Sequence, residues 1–277
     1  MSDVRIVNYC PTGTQTTREN SLAPLSVTEI VEDVHRAYEA GITVAHVHAR
    51  DEELQNTLRV EVYGKILEGI RSSCPDLAVC ISLSGRYCQD MGIRAAPLEL
   101  RPDLASLTVS SMNFPKSASV NDPESIAFLA EKMSENGVNP EIECFDSGML
   151  WCARRMVERG LLPKPSFANV IFGNMYNSPS DAASVASVLS AVWDGCDLCF
   201  GGIGRDQLRS NLLGLLYARG VRIGLEDNLY YEGRQRATNS QLLGRLRRMM
   251  SEMGLKVMPA IEFKAKYGNR KSDSTGL

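Results

Sequence analysis

Eight short runs of β-branched and apolar residues recur along this chain, and segments of helical periodicity fill most of the gaps between them. The runs cover residues 5–10, 43–49, 77–83, 104–109, 141–146, 166–173, 197–203 and 221–227. Strands this apolar need both faces covered, and in a parallel sheet helices supply the cover. Eight strand–helix units in a chain of 277 residues predict an α/β fold, the closed (β/α)8 or TIM barrel. An open, doubly wound sheet is the alternative. The first helix is expected over SVTEIVEDVHRAYEAG (26–41), with Thr28 as cap before Glu29, positions 30, 31, 34 and 38 on one face, and Gly41 closing it. Only YCQDMGIRAAPLELRP (87–102) reads poorly as a regular helix. No low-complexity linker divides the chain, so residues 1–277 are expected to form a single barrel domain ending in a polar tail at about 268–277.

The net charge is −3, with Lys and Arg scattered rather than run together, which argues against nucleic acid or a membrane surface as partner and for small molecules. No apolar stretch approaches the roughly 18–20 residues of a spanning helix, and the start MSDVRIVNYC lacks the pattern of a signal peptide. A cytoplasmic location is expected. The eight cysteines then read as reduced thiols. Cys196 and Cys199 have zinc-ligand spacing, but no second pair or nearby histidine completes the set, and CDLCFGGIG reads as a buried strand.

In a barrel of this kind, chemistry sits where strands end and the loops to the next helix begin. Two of the three histidines, His46 and His48, lie two apart on strand 2, so both imidazoles project to the same side. Glu143 and Asp146 lie near the end of strand 5. Glu226 and Asp227 end strand 8. Arg222, Gly224 and Glu226 share one parity, whereas Asp227 takes the other and reaches the site only if the strand ends or turns there. Two neutral imidazoles and one carboxylate, with Glu226 the chosen third ligand, make a three-donor site for Zn2+ or another divalent cation acting as a Lewis acid on a carbonyl. His35 belongs to a helix and reads as structural.

Two further features suit anions. FGGIGRDQL (200–208) lacks the dinucleotide fingerprint, since Gln207 stands where its last glycine would be. Its Gly202, Gly204 and Arg205 nevertheless form a glycine-rich turn opening a helix, the kind of place where barrels bind phosphate. Ser82 and Ser84 at the end of strand 3, with Arg86 on the following loop, and Thr108 and Ser110 after strand 4, would suit a substrate carboxylate.

Together, PTG (11–13), AHVHARD (45–51), LASLTVSSMNF (104–114), EIECFDSGML (141–150), GIGR (202–205) and VRIGLEDNLY (221–230) make nearly the whole chain resemble the β-keto acid cleavage enzymes. The resemblance implies a (β/α)8 barrel in homo-oligomers, dimer or tetramer, with a divalent metal, typically zinc, on His46, His48 and Glu226. It implies a Claisen-type exchange in which a β-keto acid and acetyl-CoA become acetoacetate and a new acyl-CoA, the metal polarising the ketone. It further implies Asp227 as base, paired with Arg222, the cation holding the carboxylate ionised, and an orienting or proton-relay role for Glu143. One departure stands out: after strand 3, where members carry small residues that cradle the substrate carboxylate, this chain has Arg86 and Tyr87, which raises the hypothesis of a substrate with a second anionic group. Amidohydrolase-type barrels also carry H-x-H, but they draw further histidines from strands 5 and 6, and here those strands have none. A barrel that only binds a small molecule is the third reading, disfavoured by the Arg222, Glu226 and Asp227 set.

Overall fold

The computed structural model describes residues 3–269. Eight parallel strands form the barrel: β1 (Val4–Tyr9), β2 (Val44–Val47), β3 (Ala78–Ile81), β4 (Leu104–Thr108), β5 (Asn139–Cys144), β6 (Ser166–Phe172), β7 (Cys196–Gly202) and β8 (Gly220–Ile223). Each pairs with its neighbour in chain order, and β8 pairs back onto β1 in the register Asn8 to Arg222, which closes the cylinder. This closure rules out the open doubly wound sheet.

The helices are α1 (Val27–Glu39), α2 (Val60–Ser73), α3 (Met91–Ala95), α4 (Pro123–Asn136), α5 (Ser147–Glu158), α6 (Ala182–Ala191), α7 (Asp206–Tyr217), α8 (Asn239–Glu252) and α9 (Ala260–Tyr267). Their starts follow local chemistry. Ser26 caps α1 in a capping box with Glu29, and Ile30, Val34 and Ala37 turn its buried face to the barrel. The cap is therefore Ser26, not Thr28, which lies in the first turn; the Ser-x-x-Glu spacing satisfies two end amides that a Thr28 cap would have left inside the helix. Asp122 caps α4 ahead of Pro123, and Gly137 ends it in a left-handed conformation. The 87–102 stretch becomes the short α3 followed by a 3-10 turn over Ala96–Leu100.

Inside the barrel the lower end is apolar. Ile6, Val44, Ala78, Leu104, Phe167 and Cys199 pack there against Phe263 and Tyr267 of α9, a helix outside the eight expected units. Tyr267 donates its hydroxyl to Asp197 at 3.0 Å, and Lys266 pairs with the same carboxylate at 2.7 Å, which locks this plug in place. Above it the inward-facing residues turn polar although fully buried: Asn8, His46, Glu141, Asn169 and Arg222. So many buried polar groups need partners, and that need shapes the upper half of the molecule. Of the expected polar tail, residues 270–277 lie outside the described residues.

Candidate active site

A cavity of about 390 Å³ opens at the ends of the strands, with His48, Ser82, Arg222, Glu226 and Asp227 among its lining. β2 carries His46, and His48 follows directly on its last residue, Val47, two positions further along the chain. Glu226 arrives differently. β8 stops at Ile223, short of the expected end at 227, because Gly224 takes a φ of +148° and the amides of Asp227 and Asn228 turn back to its carbonyl at 3.4 and 3.3 Å. A side chain at 224 would collide with the Cys10 carbonyl, so only glycine fits this turn. The turn brings Glu226 and Asp227, of opposite parity, into the same cavity.

Donor atoms of three residues converge at the base of the cavity. His46 Nε2 lies 3.4 Å from His48 Nε2 and 3.7 Å from Glu226 Oε2, and His48 Nε2 lies 3.1 Å from Glu226 Oε1. Donors about 2.0–2.1 Å from a tetrahedral ion are separated by roughly 3.3–3.4 Å, and the spacings here, taken to one or the other Glu226 oxygen, bracket that value, so the triangle of three residues can meet a zinc-sized ion. Glu226 Oε2 is buried without a hydrogen-bond partner among the described residues, an acceptor that a cation would satisfy. His46, Cys80 and Glu141 form a second convergent group. There Glu141 is already committed: its Oε1 accepts from Asn8 and Asn169 at 2.7 Å each, and its Oε2 faces His46 Nδ1 at 3.2 Å. Its part is to orient His46 from behind, the arrangement that fixes the tautomer of a ligating imidazole.

Electrostatics favour positive charge at the triangle. Burial alone would push His46 down, but the carboxylates of Glu226 and Glu141 outweigh it and lift the imidazole to about 9. Burial raises Glu226 and Glu141 too, yet Arg222 and the histidines overcome it, holding Glu226 well below the carboxylate range and Glu141 at about 2. His48, more simply desolvated, is lowered. Arg222, 1% exposed, is the hub: it pairs with Glu226 at 2.7 Å, Glu143 at 2.9 Å, Asp227 at 2.9 Å and Glu141 at 3.4 Å. For Asp227, burial, helped by Glu226 and Glu143, prevails over Arg222 and carries the carboxyl up to about 6. Arg222 opposes that rise, so the aspartate is mostly ionised at neutral pH while being a stronger base than an exposed one.

The model of the beta-keto acid cleavage enzymes matches residues 5–268. The chain belongs to this family. It is 30% identical to the 3-keto-5-aminohexanoate cleavage enzyme of Fusobacterium nucleatum over 260 residues, 93% of this chain and 95% of that protein. It is 31% identical to the 3-oxoadipate:acetyl-CoA acetyltransferase of Cupriavidus necator over 260 residues, covering 91% and 89% of the two chains. Among solved structures, the apo form of ObcA superposes with a TM-score of 0.78 at 18% identity, over 88% of this chain and 65% of that longer one, a likeness of fold.

The remaining residues of interest in this beta-keto acid cleavage enzyme divide by position. Ser82, Ser84, Arg86, Thr108, Glu143 and Gly204 line the cavity. Thr108 gives its hydroxyl to Glu143 Oε2 at 3.1 Å, which, with Arg222 on Oε1, pins both oxygens of that carboxylate. Ser110 donates instead to the Ser111 carbonyl at 3.2 Å and is not brought to the cavity. Gly202 faces α7, where any side chain would strike Asp206 and Ser210, and Arg205 points outward at the start of the same helix. Asp146 caps α5, and His35 sits on the exposed face of α1 at 3.9 Å from Glu39. The residues that sequence reasoning missed are Asn8, Glu141 and Asn169. A signal existed for one: Glu141 stands two before Glu143, the same spacing that drew attention to the histidines.

Proposed function

We propose that this chain is a metal-dependent acyltransferase that condenses a β-keto acid with acetyl-CoA and releases acetoacetate and a new acyl-CoA. The observation that carries the reading is the juxtaposition, on one cavity floor, of the His46, His48 and Glu226 triangle with a buried aspartate held by Arg222. Family membership and the acetyl-CoA transfer named for the Cupriavidus relative support it.

His46, His48 and Glu226 would hold a divalent ion, zinc by the donor set and spacing, and that ion would supply Lewis-acid polarisation of the keto oxygen. The Ser82 hydroxyl at the end of β3 faces the same cavity and suits the neighbouring C1 carboxylate. Asp227, ionised at neutral pH, takes a proton from C2, the carbon between the two carbonyls. The C2 carbanion attacks the acetyl carbonyl and expels the CoA thiolate. The thiolate then attacks the original keto carbon, the C2–C3 bond breaks, and the departing carbon recovers its proton from Asp227. Glu143 and Thr108 position Arg222, which keeps Asp227 aimed at C2 and stabilises its charge. Gly204 lines the mouth beside Asp227, to whose carbonyl its amide donates at 2.7 Å, a place for the thioester end of the coenzyme.

Homo-oligomeric assembly, which the family resemblance implies, belongs to the same reading. Light scattering of the purified protein checks it. No described helix is long and apolar enough to cross a membrane, consistent with the cytoplasmic location we propose.

The test is isotopic. With acetyl-CoA labelled in both acetyl carbons, the label should arrive at C3 and C4 of acetoacetate while unlabelled acyl-CoA accumulates. Cleavage of the keto acid without acyl-CoA would mark a hydrolase or lyase and end the proposal.

A further inference from the structure

The reaction leaves two cations of the cavity wall unused, Arg86 and Lys116. Arg86, on the loop after β3, lines the cavity and is mostly screened from solvent. Its guanidinium carbon sits over the Phe114 ring, 3.4 Å from the centroid, and Nη1 donates to the Thr14 hydroxyl. That contact and that single bond hold it between the loops that follow β1 and β4. Nε and Nη2 have no hydrogen-bond partner among the described residues, and no described carboxylate forms an ion pair with Arg86. The reason is the hub at Arg222, which engages Glu143, Glu226 and Asp227, the lining carboxylates. Burial therefore pushes the Arg86 pKa down, the mark of a desolvated cation without a close counter-charge. Lys116, exposed on the neighbouring loop, lines the same cavity and adds a second positive charge.

A guanidinium with one pinned edge and one free edge is built for two parallel bonds to a carboxylate. That carboxylate is not C1 of the β-keto acid, which lies one carbon from the keto group and so stays beside the metal-type triangle. Arg86 makes no ion pair with Glu226 and reaches instead to Thr14 and Phe114, beyond the strand ends. Met112, Phe114, Phe145 and Leu229 supply apolar wall for a short methylene chain between the two ends.

We infer that Arg86 binds a second carboxylate at the far end of the substrate, so that this enzyme selects short 3-oxodicarboxylates over neutral β-keto acids. The inference rests on the acyl-transfer reading above. It assigns Arg86 to specificity, outside the chemical steps.

The probes are 3-oxoadipate and 3-oxohexanoate, equal in chain length and different at the far end. The metal-loaded wild type should favour 3-oxoadipate in kcat/KM by about ten- to a hundredfold, the range of hydrogen bonds to a charged group. Arg86→Ala should lose that factor on 3-oxoadipate only, through KM, with 3-oxohexanoate and the KM for acetyl-CoA unchanged. Arg86→Lys should keep part of the preference. Equal use of both acids by the wild type overturns the inference while leaving the reaction standing. So does an Arg86→Ala loss shared by both acids or confined to acetyl-CoA, which would make Arg86 a general or coenzyme anchor. If Arg86→Ala fails to fold, the wild-type ratio and Arg86→Lys decide. No acyl-CoA from either acid overturns the reaction itself, and this specificity with it.

Discussion

His46 Nδ1 and Glu141 Oε2 lie 3.2 Å apart inside the barrel, and both residues have 0% of their surface exposed. The carboxylate fixes which imidazole nitrogen faces the cavity. Glu141→Gln keeps an oxygen for Asn8 and Asn169 to donate to and removes only the negative charge behind His46. Metal affinity should fall by about ten- to a hundredfold, as measured by competition with a chelating dye. Unchanged affinity would show that His46 needs no such support.

Asp227 is a different kind of carboxylate, carried up to about 6 by burial while Arg222 Nε donates to it at 2.9 Å. Asp227→Asn can still accept that bond, so the floor keeps its shape and Glu226 its place. The variant should retain the metal by elemental analysis while kcat drops by roughly two to four orders of magnitude. Normal turnover would remove Asp227 from the role of base.

Arg222 is the sole cation paired with Glu143 and Asp227 among the described residues. Arg222→Met would strand four carboxylates in a water-poor space. Breaking a buried ion-pair network by removing one partner costs about 3–5 kcal/mol, so denaturant unfolding of the metal-free variant should show a loss of that order. A midpoint equal to wild type would mean that water already screens these charges.

Gly13, in the loop after β1, leans directly on Glu226: a methyl group at 13 would collide with Glu226 Cγ. Gly13→Ala should displace the carboxylate by a fraction of an ångström to an ångström. Misplacement on that scale costs on the order of a hundredfold in kcat/KM. Circular dichroism should still report a folded barrel, because the Gly13 backbone has no positive φ to lose. Full activity in this variant would show that Glu226 has slack.

The barrel was legible because the eight apolar runs and their helical spacers obey periodicities that burial on both faces imposes. His46 and His48 were legible for the same reason: alternate positions of one strand share a side. Asp227 tested the limit of parity, since its arrival depends on Gly224 bending the chain at Ile223, and a backbone turn leaves little trace in an alternation pattern. Glu141 was hidden by depth. One step further down the same face of β5 than Glu143, it is a buried charge justified only by Asn8, Asn169, His46 and Arg222, which come from four other strands. The α9 plug was missed because eight units already complete a barrel, and nothing local says that Phe263 and Tyr267 must fill its lower end.

Glu29 connects local sequence to acid stability. Burial raises this carboxyl, but hydrogen bonds from Arg18 and from the amides of Ser26 and Leu25 overcome it and hold the group at about 2, below the 4.5 of a free glutamate. The folded state therefore binds this proton less readily than the unfolded chain. The resulting stability is fully present above about pH 4.5 and drains away as pH falls toward 2. Glu29→Gln preserves the capping box, since Gln also serves at that position, and deletes the titration. The gap in melting temperature between wild type and variant should stay constant above pH 5 and close on acidification; because Arg18 and Glu29 are 48% and 40% exposed, added salt should narrow it too. A gap that does not change across this range would place the carboxylate's contribution in the cap geometry rather than in its charge.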